Sequence, residues 1–154
     1  MVARKGGTTA NSNEDGRTVT SRALAILGAF TPERPTLTLA QICRHTGLRH
    51  ATAHRLAGEL REWGALERTA GGAYVVGLRL WELGVLNPRG LPLRVRAMPV
   101  LEDLHAATAQ HVQLAVLDGT EALVVERIST TSAVAVVSQV GGRLPLHASG
   151  VGQV

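Results

Sequence analysis

The stretch from Thr36 to Trp63 constrains the fold more than any other, because it reads as two short helices joined by a tight turn. Thr38 and Gln41 have the spacing of a capping box, in which a hydroxyl and a side-chain amide satisfy free amide groups at a helix start. Gly47 predicts the end of that helix, since glycine readily adopts the positive φ of a helix terminus. Apolar residues at helical spacing predict that the two helices pack together. They are Leu39, Ile42 and Cys43 before the turn, and Ala53, Leu56, Ala57, Leu60 and Trp63 after it.

The same stretch is unusually basic. No Asp or Glu occurs between Arg34 and Gly58. The basic residues within these limits are Arg34, Arg44, His45, Arg49, His50, His54 and Arg55. A solvated helix surface normally mixes both signs, whereas a surface that meets phosphates excludes carboxylates. Helical hairpins also occur as ordinary core elements, but this charge pattern favours a helix-turn-helix that places its second helix in the DNA major groove.

Length and composition limit the remaining possibilities. The chain has 154 residues, enough for one ordinary domain or two small ones. Its basic excess is uneven, with 11 basic and 7 acidic residues through Leu86 and 5 of each from Asn87 onward. One cysteine, no leader and no bilayer-length apolar run predict a cytoplasmic protein without a membrane partner. Cys43 is expected to pack as a small apolar residue.

A first helix and a β-hairpin complete a predicted winged helix-turn-helix domain over residues 18–77, which follows a polar tail. Residues 1–17 are polar and lack apolar periodicity, which predicts a disordered tail. A helix is expected from Thr18 or Thr20, ending before Pro32. The run ALERTAGGAYVV has two short alternating segments around a Gly-Gly centre, as in a β-hairpin. A hairpin that directly follows a helix-turn-helix forms its wing.

The rest of the chain predicts a linker and part of a second domain. Residues 78–90 are expected to form a linker helix that ends at Asn87-Pro88-Arg89-Gly90, with Trp81 at a dimer contact or packed against the linker. Residues 91–154 predict a helix from Leu91 to Thr108, kinked at Pro99, with Leu93, Ala97, Val100, Leu101 and Leu104 facing inward. Three strands follow, at His111–Leu117, Glu121–Ile128 and Ala133–Val140, the first two joined by Asp118-Gly119.

These strands are apolar on both faces, so the sheet should be covered on both sides. Only Gly141 to Val154 remains to cover it. The sequence therefore predicts either an incomplete domain or one that a partner chain completes.

Several motifs together resemble the IclR (isocitrate lyase regulator) family of bacterial transcription regulators. They are SRALAILGAF, LTLAQICRHTGLRHATAHRLAGELREWGALER, VGLRLWELG, RAMPVLEDLHAATAQHVQLAVLDGTEALVVERI and GGRLPLHASGVGQV. The resemblance implies an α+β protein with an N-terminal winged helix-turn-helix, a linker helix that dimerises it, and a GAF-like effector domain with an antiparallel sheet. It also implies operator binding, usually as a repressor, and a small-molecule effector.

Two departures from the family pattern limit what the resemblance implies. Similar proteins commonly have a serine that caps the recognition helix, whereas this chain reads Leu48-Arg49-His50-Ala51-Thr52. Family members also continue past LPLHASGVGQV into another helix and further strands, so the effector pocket is expected to be incomplete.

The expected DNA contacts fall into two groups. Arg49, Thr52, His54 and Arg55 lie on the first turns of the second helix, where guanidinium groups read guanine and a threonine methyl contacts thymine. Phosphate contacts, which fix register without reading sequence, are expected elsewhere. The residues predicted for them are Arg22, Arg44, His45 and Arg68, and His50 also faces the DNA. Arg68 and Thr69 lie at the turn of the wing, where they could reach a phosphate or the minor groove or could simply form an exposed hairpin tip.

Other functions find less support in the sequence. His50 and His54, with His45 and Cys43 nearby, could bind a metal, but no carboxylate joins them, so no metal or cofactor is predicted. Glu126 and Arg127 point to opposite faces of a strand, which argues against an acid/base pair and an enzyme. The alternative to a homodimeric operator-binding regulator is a truncated dimerisation or effector-binding piece that modulates full-length relatives.

Overall fold

The computed structural model describes residues 17–130 and 138–150. It divides into two compact units, Met1–Leu80 and Trp81–Val154. The predicted tail over residues 1–17 lies outside the described residues except for Arg17, and so does most of the predicted strand Ala133–Val140. The limits predicted for the linker helix and for the two domains stay predictions.

The first unit consists of three helices and a small sheet. Its elements are α1 (Val19–Leu27), β1 (Thr36–Leu37), α2 (Leu39–Thr46), α3 (His50–Trp63), β2 (Leu66–Arg68) and β3 (Tyr74–Val76). The predicted helix starts are confirmed, because Thr18 Oγ1 accepts a hydrogen bond from the Ser21 amide at the start of α1. The capping box of α2 is complete, with the Thr38 amide donating to Gln41 Oε1 at 2.7 Å and the Gln41 amide to Thr38 Oγ1 at 3.3 Å. Gly47 ends α2 at φ +72°.

One hydrophobic core joins these helices to the sheet. Ile26, Ile42 and Leu56 contribute from the three helices, and Leu37 and Leu66 from the strands. Ala53 and Ala57 are fully buried, so α3 presents two small side chains to the core beside Leu56. Cys43 packs against this core as expected, and burial raises the pKa of its thiol.

The small sheet has the order β1-β3-β2 and is antiparallel, with Tyr74 opposite both Leu37 and Arg68. The β2–β3 hairpin is the predicted wing. The sequence did not predict β1, because a strand of two residues is too short to show alternation.

The second unit packs one long helix on a three-stranded antiparallel sheet. After α4 (Leu78–Gly84) come α5 (Leu91–Thr108), β4 (Val112–Asp118), β5 (Glu121–Ile128), β6 (Arg143–Pro145) and a short 3-10 helix (Leu146–Ala148). The sheet order is β4-β5-β6, and Gly119 turns the predicted hairpin at φ +64°. The mixed helix and sheet content confirms the α+β prediction.

Two predictions for this unit are wrong. The third described strand is Arg143–Pro145, which pairs with β5 in a segment that was expected only to cover the sheet. Val100 and Leu104 were expected to face inward but are 67% and 49% exposed. The sheet covers one side of α5, on which Leu93, Ala97 and Met98 are half-buried and Leu101 is buried.

Candidate nucleic-acid interface

The start of α3 lacks a side-chain cap. Arg49 occupies the N-cap position in an extended conformation (φ −64°, ψ 145°) and makes no capping hydrogen bond. Arginine has no short side-chain acceptor that could bind the first amide groups, unlike Ser, Thr, Asp or Asn. The departure from the capping serine of similar proteins therefore leaves α3 without a side-chain cap. The Arg49 side chain does not satisfy the first-turn amides of α3.

The two sides of α3 differ sharply in burial. Its inner side is buried, while His50, His54 and Arg55 are exposed on the outer side and Thr52 is half-buried. The His50 and His54 rings stack with centroids 6.4 Å apart. Together with exposed Arg49, these residues form the candidate reading face, defined as Arg49, His50, Thr52, His54 and Arg55.

The candidate phosphate contacts of α1 and α2 lie in different surroundings. Arg44 and His45 are exposed in the last turn of α2, and His45 Nδ1 lies 3.5 Å from the Arg34 guanidinium. That contact extends the basic surface to the chain between α1 and β1. Arg22 is half-buried on α1, so it offers less of its side chain to a phosphate than Arg44 does.

A carboxylate that sequence reasoning missed adjoins the reading face. Glu59 pairs with Arg55 at 2.5 Å, and both side chains are 55% exposed. No acid occurs between Arg34 and Gly58 in the sequence. The expectation that the folded surface around the reading face is free of acids is nevertheless wrong, because Glu59 lies beside Arg55. The four-residue spacing of Arg55 and Glu59 along a predicted helix was the signal that could have revealed this pair.

Polar groups of the wing tip bind the hairpin itself. Arg68 Nε donates to the Gly72 carbonyl at 3.1 Å, and the Arg68 guanidinium lies 5.9 Å from the centroid of the Tyr74 ring. Thr69 Oγ1 donates to the Ala73 carbonyl at 3.3 Å. Both residues are exposed, but these donors already fix the shape of the wing.

The second unit contains a largely apolar cavity of about 670 Å³. Arg94 of α5 and Glu126 of β5 form an ion pair in its wall. The Glu126 side chain is only 12% exposed. Burial by itself would raise its pKa, but the amide of Arg127 and the Arg94 guanidinium hydrogen-bond to the carboxylate, and together they hold the pKa of Glu126 below its usual value.

Acidification should therefore weaken the second unit through Glu126. A carboxyl group with a lowered folded-state pKa stabilises the fold above its unfolded pKa of about 4.3 and loses that contribution as pH falls through the folded value. Thermal melts of the wild type and of Glu126→Gln should differ at pH 7, and the difference should shrink as pH falls from about 4.3 through the lowered folded-state pKa of Glu126. Glu121→Gln, which changes an exposed ion pair with Arg143, should have little effect at either pH. A constant difference between wild type and Glu126→Gln across this range would contradict the assignment.

Within residues 17–130 and 138–150, no helix combines the length and apolarity needed to cross a bilayer.

Comparison with known proteins matches both halves of the chain to one family. Residues 19–70 match the IclR helix-turn-helix domain, and residues 88–154 match the bacterial transcriptional regulator IclR C-terminal domain. The chain is 39% identical over 127 residues to the HTH-type transcriptional regulator KipR of Bacillus subtilis (strain 168), a match that covers 82% of this chain and 50% of KipR. It is 26% identical over 136 residues to the transcriptional repressor IclR of Escherichia coli (strain K12), covering 86% of this chain and 50% of that protein.

A solved structure is also similar. An IclR homolog from Microbacterium hydrocarbonoxydans, crystallised in complex with 4-hydroxybenzoate, matches with a TM-score of 0.81 and 39% identity, covering 86% of this chain and 55% of that one. The chain spans about half the length of the curated relatives it matches.

Proposed function

Because this chain belongs to the IclR family of bacterial transcriptional regulators, we propose that it binds an operator as a dimer and represses transcription. One observation carries the proposal. Helix α3 buries one side in the core and exposes a basic reading face on the other. A second helix of this kind is what a helix-turn-helix inserts into the major groove.

Within this proposal, the residues of the reading face have different roles. Arg49 and Arg55 offer paired N–H donors to guanine, and His54 offers one ring donor or acceptor to a base edge. The Thr52 methyl contacts thymine from a half-buried position. His50 and the remaining basic residues bind the backbone and set the register. These basic residues are Arg22, Arg44, His45 and Arg68, and the Thr69 hydroxyl is proposed to contact the backbone as well.

Helix α4 supports the proposal of a homodimer. Leu78, Trp81 and Leu83 on this helix are 65%, 61% and 45% exposed, and Leu86 just after it is 73% exposed. Several large apolar side chains exposed along one short helix favour burial against another chain. Two copies would place two reading faces on a palindromic site with half-sites about 34 Å apart or a multiple of that distance.

The cavity of the second unit favours a small-molecule effector. The Microbacterium relative was solved with 4-hydroxybenzoate, an aromatic carboxylic acid. In this chain the cavity walls are mostly apolar, and a bound carboxylate would compete with Glu126 for the Arg94 guanidinium in the wall. We therefore extend the proposal to a small organic acid as the effector of the second unit. A regulator of this kind acts on chromosomal DNA in the cytoplasm and needs no catalytic residues.

The proposal is tested with the full chain and fragments of the source genome. Fragments that the purified chain retains are sequenced, and the shared site is used in gel-shift titrations at several salt concentrations. We expect one discrete dimeric complex on this site, tighter than on random duplex by a factor on the order of 1,000 or more. Failure to bind any duplex at low salt would overturn the proposed function, and a monomer in analytical ultracentrifugation would overturn the dimer.

A further inference from the structure

Glu59 is the first acidic residue after the basic stretch, and it binds Arg55, which is proposed above to read a base. The two residues lie one helical turn apart on α3, and Arg55 Nη1 is 2.5 Å from Glu59 Oε1. We propose that Glu59 is a positioning residue, which holds the Arg55 guanidinium in the orientation that a base edge requires and keeps it away from the phosphates. This inference rests on the proposed function of the reading face.

The ion pair has little value for stability. Both side chains are 55% exposed, and an exposed ion pair contributes little because water and salt screen it. The order along the helix is also the poorer one, since a helix is stabilised more when the acid precedes the base. A carboxylate beside a surface that meets phosphates lowers affinity for every duplex. Neither stability nor general affinity for DNA explains this carboxylate, so we infer that its effect on sequence discrimination comes through its contact with Arg55.

The geometry explains how the pair would discriminate between sequences. An unrestrained guanidinium can bind a phosphate next to any base, which adds affinity without specificity. Arginine has five N–H donors, and the contact between Arg55 and Glu59 uses the Nη1 group. The other nitrogens remain able to form the two parallel hydrogen bonds that guanine accepts. Specificity is a difference between affinities, so a residue that weakens phosphate binding while orienting a base contact increases it.

The experiment compares Glu59→Gln with Glu62→Gln in the full chain. Glu62 is exposed on the same helix, so its variant removes the same charge three residues further along. On random-sequence duplex, Glu59→Gln should bind several-fold tighter, with a salt slope steeper by about 0.9, the value of one added phosphate contact. The ratio of operator to random-duplex affinity should fall several-fold, whereas Glu62→Gln should leave this ratio near the wild-type value.

A double-mutant cycle separates positioning from charge alone. In an Arg55→Ala background, Glu59→Gln should no longer change the ratio of operator to random-duplex affinity, because the guanidinium that Glu59 holds is absent. An unchanged ratio for Glu59→Gln in the wild-type background, or the same fall in both backgrounds, would overturn the inference while the proposed function stands. If the wild type ignores duplex DNA, the proposed function fails, and the inference fails with it.

Discussion

Replacing Gly77 with alanine should destabilise the first unit by about 3 kcal/mol and lower its melting temperature by roughly 10–20 °C. Gly77 is buried directly after β3, and its amide donates to the Ala65 carbonyl at 2.8 Å. A Cβ at this position would lie well under 3.0 Å from the carbonyl oxygen of Gly64. The obstacle is backbone, which cannot rotate aside as a side chain can. The chain after β3 would have to separate from the segment after α3, which breaks the hydrogen bond as well.

A second glycine provides the control for this variant. Gly58 lies inside α3, and a Cβ added there would meet nothing within 4 Å. Gly58→Ala should therefore stabilise the unit by about 0.5–1 kcal/mol, because alanine loses less conformational freedom in a helix. Circular dichroism melts of Gly77→Ala, Gly58→Ala and the wild type test both predicted shifts in melting temperature. Equal melting temperatures for Gly77→Ala and the wild type would show that the backbone around Gly64 adapts freely.

Replacing Arg55 with alanine should weaken operator binding by about 1–3 kcal/mol, which is roughly 5- to 150-fold in affinity. The guanidinium is exposed on the reading face and carries the donors that a guanine accepts. Affinity for random duplex should change much less, because a residue that reads a base contributes little where that base is absent. The operator found by fragment selection and a random duplex of equal length are titrated in parallel by gel shift.

Arg61→Ala is the matched control for this variant. Arg61 is exposed in the last turn of α3, so the substitution removes the same side chain and charge from the same helix. It should reduce affinity for both duplexes to a similar small extent. Undiminished operator affinity in Arg55→Ala would mean that another surface of the chain reads the site.

The helix pair was predictable because its signals are local. The capping box of Thr38 and Gln41, the positive φ of Gly47 and the apolar spacing of α3 each depend on residues within about one or two turns. Burial then sets the exposed side of α3 without further information, since a helix that buries Ala53 and Leu56 must expose the opposite side. Because His50, His54 and Arg55 fall on that exposed side at helical spacing, its basic character could also be predicted from the sequence.

Features that depend on contacts across the chain were not predictable in this way. Strand β1 exists because Thr36 and Leu37 pair with β3, and Arg143–Pro145 is a strand because it pairs with β5. Neither segment shows alternation of its own. Glu59 lies just beyond the acid-free stretch in the sequence, but one helical turn brings its carboxylate next to Arg55.

The hydrogen bonds within the wing affect what DNA binding would cost. Hydrogen bonds from Arg68 to the Gly72 carbonyl and from Thr69 to the Ala73 carbonyl fix the shape of the hairpin tip in the absence of DNA. Immobilising a flexible side chain at an interface costs about 0.5–1.5 kcal/mol of entropy, and a preformed tip avoids much of that loss. Docking of the wing should consequently be limited by the removal of water from its polar groups rather than by the ordering of a loop.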